Sequence, residues 1–160
     1  MPQLPRDDGF TLVELLVTIA LLGVMMAIAV SGWSSWARAS EQAGTAQAIE
    51  ALLRQTQQRA VTEGRSMCVR FDTAADRYTV FHGRCDDATK TRAEGPFDTD
   101  SAGVHIGSAQ FTSSAGTVGP GVTFRARGTA WAGAVKVTRD GSAKVHVVKV
   151  ERLTGRVSSS

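Results

Sequence analysis

Few side chains in this sequence stand where chemistry could be done, and the most conspicuous is a carboxylate. Glu14 is the single charge between Phe10 and Val30, in a run that reads Phe10-Thr11-Leu12-Val13-Glu14-Leu15-Leu16-Val17 and stays apolar to Val30. An ionisable group in such a run is expensive to hold away from water and points to a function and a partner. No cation follows it within the run. An α-amino group made by a cut between Gly9 and Phe10 would be the nearest, with Glu14 then fifth in the chain. A relaxed helix pairs those two groups poorly, so the amine of a neighbouring copy is the better partner.

The other reactive types are sparse. Cys68 and Cys85 are the two cysteines. If the chain beyond Val30 lies outside the membrane, oxidation is permitted. Their bond is the only intramolecular pairing open to them, and closing a loop of about 18 residues is worth about 3 kcal/mol in the chain-entropy view. The alternative is two free or buried thiols. A simple hairpin register sets Cys68 beside Phe81, so the bond requires the chain after His82 to fold back, which Gly83 would allow. His82, His105 and His146 share no ligand or triad spacing and read as ordinary strand residues. The acids Asp86, Asp87, Glu94, Asp98 and Asp100 match no calcium loop, and the cysteine spacing is no zinc knuckle. Phosphate-binding glycine loops and nucleophile elbows are missing from the sequence. No enzyme, metal or cofactor is expected.

Charge is concentrated near the end of the chain. Arg125, Arg127, Lys136, Arg139, Lys144, Lys149, Arg152 and Arg156 face only Asp140 and Glu151 there, although the whole chain carries just +3. Lys136 is out of step with Val135, Val137 and Arg139, while Lys144 and His146 alternate with Val145 and Val147. That alternation predicts one basic, exposed face able to attract DNA phosphates.

These groups need elements to hold them. A helix over 10–30 would be about 30 Å long, enough to cross a bilayer. Trp33, Trp36 and Arg38 follow, as suits a membrane interface. From 39 to 63 the pattern turns amphipathic, with Ala43, Ala46, Ile49, Leu52, Leu53, Thr56 and Ala60 on one stripe. Glu63-Gly64-Arg65 supplies the stop. Gly23 and Gly32 would either loosen the helix or be the glycines common in any membrane helix. Strands are predicted at 67–72 and 77–82, joined by Thr73-Ala74-Ala75-Asp76. Residues 83–103 read as a loop. Weak strands at 104–106 and 109–111 precede a better one at 122–125. A hairpin of 134–139 and 143–150 turns at Asp140-Gly141. With 42% hydrophobic and 21% charged residues, the composition is that of a folded domain with one modest core.

The order glycine, aromatic, small polar, apolar pair, glutamate in Gly9-Phe10-Thr11-Leu12-Val13-Glu14, ahead of a long apolar run, resembles the prepilin signal of type IV pilins and type II secretion pseudopilins. The resemblance implies that a prepilin peptidase cuts after Gly9 and N-methylates Phe10, and that Glu14 guides the subunit into a filament. Two features depart from the family pattern. Asp7 and Asp8 stand where leaders usually carry basic residues, and Ser31 stands where a kinking proline is common. A second resemblance lies at the other end. Val122-Thr123-Phe124, Gly128-Thr129, a strand pair and Thr154-Gly155-Arg156-Val157 look like the C-terminal pattern of GspH/FimT minor pilins. Some of these have a second arginine where this chain has Ser158.

The resulting expectation is an α+β protein, its long N-terminal helix packed on an antiparallel sheet domain. Residues 1–9 would be the leader, 10–37 the membrane and assembly half of the helix, and 38–160 an extracellular globular domain. The protein would be a minor pilin or pseudopilin, single-pass in the inner membrane before joining a pilus or pseudopilus. Its partners would be other subunits, the peptidase, the inner-membrane assembly platform and the lipid bilayer. The alternative is a DNA-binding minor pilin of an uptake pilus, using the basic C-terminal residues.

Overall fold

The structure, a computed structural model, describes residues 11–99 and 103–160, with the backbone alone described at 30–32, 34, 35 and 38. Expectations for the leader, Gly9, Phe10, Asp100 and the side chains of Ser31 and Arg38 therefore lie outside the described residues. The chain forms two compact units, Met1–Ala39 and Ser40–Ser160.

One helix, α1, runs from Leu12 to Thr62. It begins at a cap, where the Thr11 hydroxyl accepts the Glu14 N–H at 3.2 Å. It ends in a Schellman motif: Arg65 N–H reaches Ala60 O, Gly64 N–H reaches Val61 O, and Gly64 takes φ 65°. In the first unit every residue from Leu12 to Ala29 is exposed. In the second unit the stripe formed by Ala46, Ile49, Leu53, Thr56 and Ala60 is buried, while Ala43 and Leu52 are half-buried.

Two antiparallel sheets complete the second unit. The first contains β1 (Met67–Asp72), β2 (Arg77–His82), β3 (Thr91–Asp98) and β6 (Gly121–Phe124), in the order β3-β2-β1-β6. The second contains β4 (Val104–Thr112), β5 (Val118–Gly119), β7 (Ala132–Arg139), β8 (His146–Val150) and β9 (Val157–Ser159), in the order β5-β4-β7-β8-β9. Their shared core holds Ile49 and Leu53 of α1, Val69 and Phe71 of β1, Phe111 of β4 and Val148 of β8. Phe71 and Phe111 stack across the sheets with centroids 5.9 Å apart. Gln42 is buried too, and its amide donates to Val137 O at 3.0 Å and Lys144 O at 2.8 Å.

Three expectations change. Residues 83–103 are not all loop, because β3 pairs with β2 as an edge strand through two register shifts. Its Gly95-Pro96 step hides it, since proline in a run argues against a strand except at an edge. The two weak strands at 104–106 and 109–111 are one strand, β4, with a register shift around Gly107. The basic hairpin face is drawn differently. Val135 pairs with Val148 and Gly133 with Val150, which turns Val148 and Val150 inward and Val147 outward. Lys144 and Val145 lie before β8, where Gln42 holds the Lys144 carbonyl. The alternation read from residue 144 thus starts two positions too early and has the wrong parity.

Candidate functional site

Glu14 stands in the first turn of α1, exposed, with its own N–H tied to the Thr11 cap. Acidic residues favour this end of a helix, where free N–H groups and the helix dipole present positive charge. Its carboxylate has no ion-pair partner among the described residues. Below it, Leu15, Leu16, Ile19 and Leu22 are all more than half exposed. An unscreened carboxylate at the top of an unburied apolar helix is suited to intermolecular contact or to a bilayer. Trp33 and Trp36 are also exposed, with ring centroids 5.7 Å apart.

Cys68 and Cys85 are bonded, with Cα atoms 5.1 Å apart. Cys68 does face Phe81 across the hairpin. The chain turns back at Gly83, whose φ is 105°, and Cys85 N–H donates to the Thr123 hydroxyl at 2.9 Å. That places the sulfur beside β1 from the side of β6 rather than of β2.

The C-terminal glycine motif has a packing reason. Gly155 takes φ 62°, and a Cβ there would stand 2.4 Å from Gly128 O and 2.5 Å from Gln57 Nε2. Gln57 donates to Thr154 O at 2.8 Å and to Gly128 O at 3.3 Å. Gly128, Gly155 and the helix thus meet at one point, and only glycine fits the loop side of that contact.

The eight C-terminal cations are scattered unevenly. Lys136 and Lys149 point outward as diagonal neighbours on β7 and β8, since Lys136 pairs with Val147 and Ala134 with Lys149. Together with Arg152 they edge a shallow groove floored by Ser108, Gln110 and Ala134. Ser158 lies directly across from Lys149. Arg125 and Arg127 occupy a turn before β7, Lys144 the loop before β8, and Arg156 the loop before β9. Arg139 takes the inward parity and has a buried Nε without a hydrogen-bond partner. None of the eight forms an ion pair with a described residue, whereas Arg54, Arg59, Arg65, Arg77 and Arg84 all do.

His105 is more than an ordinary strand residue. Its Nδ1 is 2.7 Å from Asp76 Oδ2 and its Nε2 is 3.4 Å from Asp140 Oδ1. Three residues so far apart in sequence give no local signal. The one hint is that Asp76 and Asp140 both lie in predicted hairpin turns. Among the described residues no group of three His, Cys, Asp or Glu side chains could hold a metal ion.

Comparison with known proteins puts these features in a family setting. Residues 4–30 match the prokaryotic N-terminal methylation motif, and residues 45–154 match the model of the type II transport protein GspH. A solved minor pseudopilin, EpsH from the type 2 secretion system of Vibrio cholerae, is similar at 15% identity and a TM-score of 0.56, over 74% of this chain and 94% of that one. The type IV minor pilin FimU of Pseudomonas aeruginosa is similar at 16% identity and a TM-score of 0.56, over 78% of this chain and 92% of that one. At these identities the likeness is one of fold. A search of curated proteins gives no significant match.

Proposed function

The chain belongs to the GspH family, and on that premise we propose how it enters its filament. It is a minor pilin or pseudopilin, a structural subunit of a type II secretion pseudopilus or a type IV pilus, and it assembles with other subunits of the same kind. Its apolar helix and methylation motif fit membrane anchoring before assembly. In our reading the leader is 1–9, the assembly half of the helix 10–37 and the globular domain 38–160. The domain lies outside the cytoplasm, with a single pass through the inner membrane. Prepilin peptidase cuts after Gly9 and methylates Phe10, and the assembly platform receives the mature subunit. The role is structural and not enzymatic.

The observation that carries this reading is the position of Glu14. It is a carboxylate without an ion pair among the described residues, near the N-terminus of the exposed apolar half of α1 and fifth in the proposed mature chain. Such a charge is stabilised when a neighbouring subunit brings an amine to it. The Glu14→Ala variant should therefore be processed normally but recovered poorly in sheared filaments, relative to its amount in the membrane. Normal recovery would remove the assembly role.

The C-terminal cations, which form no ion pair with a described residue, favour a second reading, in which the domain also binds duplex DNA. Lys136, Lys149 and Arg152 form its centre, with Arg125, Arg127, Arg139, Lys144 and Arg156 as the remaining candidates. Phosphate binding releases counterions, so affinity for the full chain in micelles should fall steeply with salt. The Lys136→Ala/Lys149→Ala variant should flatten that slope. Salt-independent binding, or none at low salt, would end this reading.

A further inference from the structure

The His105 cluster joins parts of the fold that otherwise belong to different sheets. Asp76 closes the β1–β2 turn, at the end of the first sheet, and holds φ 50°, a left-handed conformation uncommon outside glycine. Its carboxylate faces the second sheet: Oδ1 accepts Ile106 N–H at 2.8 Å while Oδ2 meets the His105 ring. Asp140 opens the β7–β8 turn, its N–H donating to Gly103 O at 2.9 Å and its carboxylate facing the other ring nitrogen. One imidazole on β4 therefore touches both turns, one with each nitrogen.

The nitrogens are not equivalent. Nδ1 has the shorter contact, and Asp76 is also fixed by the Ile106 amide. The neutral ring keeps a proton on Nδ1, since that tautomer preserves the Asp76 bond. The proton that leaves to solvent is then the one on Nε2. With that proton gone, an acceptor lone pair faces an acceptor carboxylate, and the Asp140 contact is lost.

We propose that His105 is a proton-operated tie between the two turns, which secures the β7–β8 turn while doubly protonated and releases it when Nε2 deprotonates. The segment released runs from Asp140 to Ala143, ahead of Lys144, whose carbonyl Gln42 holds, so protonation of one ring would govern the order of this turn.

The surrounding charges favour the protonated ring. The Asp76 bond first, and the Asp140 contact second, raise His105 above the ordinary histidine value. For Asp76, burial acts to raise the carboxyl, but the His105 and Ile106 hydrogen bonds outweigh it and hold the group below the ordinary aspartate value. Two of the other nearby charges are engaged elsewhere: Asp72 of the first turn accepts Ala74 and Ala75 N–H, and Arg77 pairs with Asp98. Arg139 of β7 lies opposite Val104 and forms no ion pair with a described residue. Opposite the ring on β7 is uncharged Thr138. The signs follow from linkage. The histidine contribution is whole below the ordinary histidine pKa and is lost as pH rises through the raised value. The aspartate contribution is present above the ordinary aspartate pKa and is lost as pH falls through the lowered one. The tie is complete between these limits.

The test combines NMR titration of the His105 ring with amide exchange in the full chain held in micelles, corrected for intrinsic pH effects. The ring should titrate above the ordinary histidine value. Across that titration, protection of the Asp140 amide should fall severalfold while that of Ile106 is kept. His105→Gln should show low Asp140 protection at every pH. Asp140→Asn, at an exposed position, should lower the ring pKa and leave Ile106 protected. Asp140 protection that is constant through the ring's titration would overturn the proposal. So would a pH response that survives in His105→Gln.

Discussion

α1 has two apolar surfaces that differ in what covers them. From Leu12 to Ala29 no residue is buried. From Ser40 to Thr62 the apolar stripe lies in the core, with Ile49 and Leu53 at 0% exposure. In the second half the chain's own sheets provide the cover. In the first, cover must come from outside the chain, from lipid before assembly and from neighbouring subunits afterwards. The polar residues differ in the same way. Gln42, Arg54 and Gln57 bond to backbone carbonyls of the second unit, whereas the Glu14 carboxylate has no ion pair among the described residues. A large exposed apolar surface on a helix is thus a statement about partners, and a buried one is a statement about folding.

Substitution can break this contrast. Phe111→Ala removes a fully buried ring stacked on Phe71 and should cost about 3–5 kcal/mol, seen as a lower denaturation midpoint of the globular unit. Leu22→Ala, on the uncovered half, should leave that midpoint unchanged. A comparable loss from Leu22→Ala would mean that the first half is also part of the folding core. Next in size is the paired Cys68→Ser/Cys85→Ser change, expected to cost about 3 kcal/mol by freeing the unfolded chain.

Gln42→Leu sharpens the contrast within the covered half. It should cost about 1–3 kcal/mol, because Val137 O, on a fully buried residue, loses its Gln42 bond. Hydrogen exchange should place the loosening around Lys144, the second carbonyl that Gln42 holds. The smallest effect should come from Arg54→Ala, whose i,i+4 pair with Glu50, exposed on the arginine side, is worth about 0–1 kcal/mol. A larger loss would have to be assigned to its bond with Val157 O.

Regular patterns were legible where the period was long or the turn chemistry distinct. The strand bounds 67–72 and 77–82, the Gly64 stop and most of the buried stripe could be read directly. β3 escaped because its Gly95-Pro96 step breaks the alternation. The sequence leaves the parity of β8 ambiguous because its pattern runs Val145-His146-Val147-Val148, where two adjacent valines suit either face. Pairing with Val135 decides between them, and pairing is a long-range fact. The buried role of Gln42 was invisible for the same reason, since its acceptors lie about a hundred residues away in sequence. At the N-terminal end, the residue types around Glu14 carry a methylation motif that is legible without any fold at all. The His105 cluster had no local signature, because each of its three residues is ordinary in its own segment.

The proposed entry into a filament depends most on a mature chain that begins at Phe10. Intact-mass and N-terminal fragment analysis of the chain purified from membranes decides this. The predicted result is a chain starting at N-methylated Phe10, with Met1 to Gly9 absent. A chain that still begins at Met1, from cells with an active prepilin peptidase, would contradict the proposed entry into a filament.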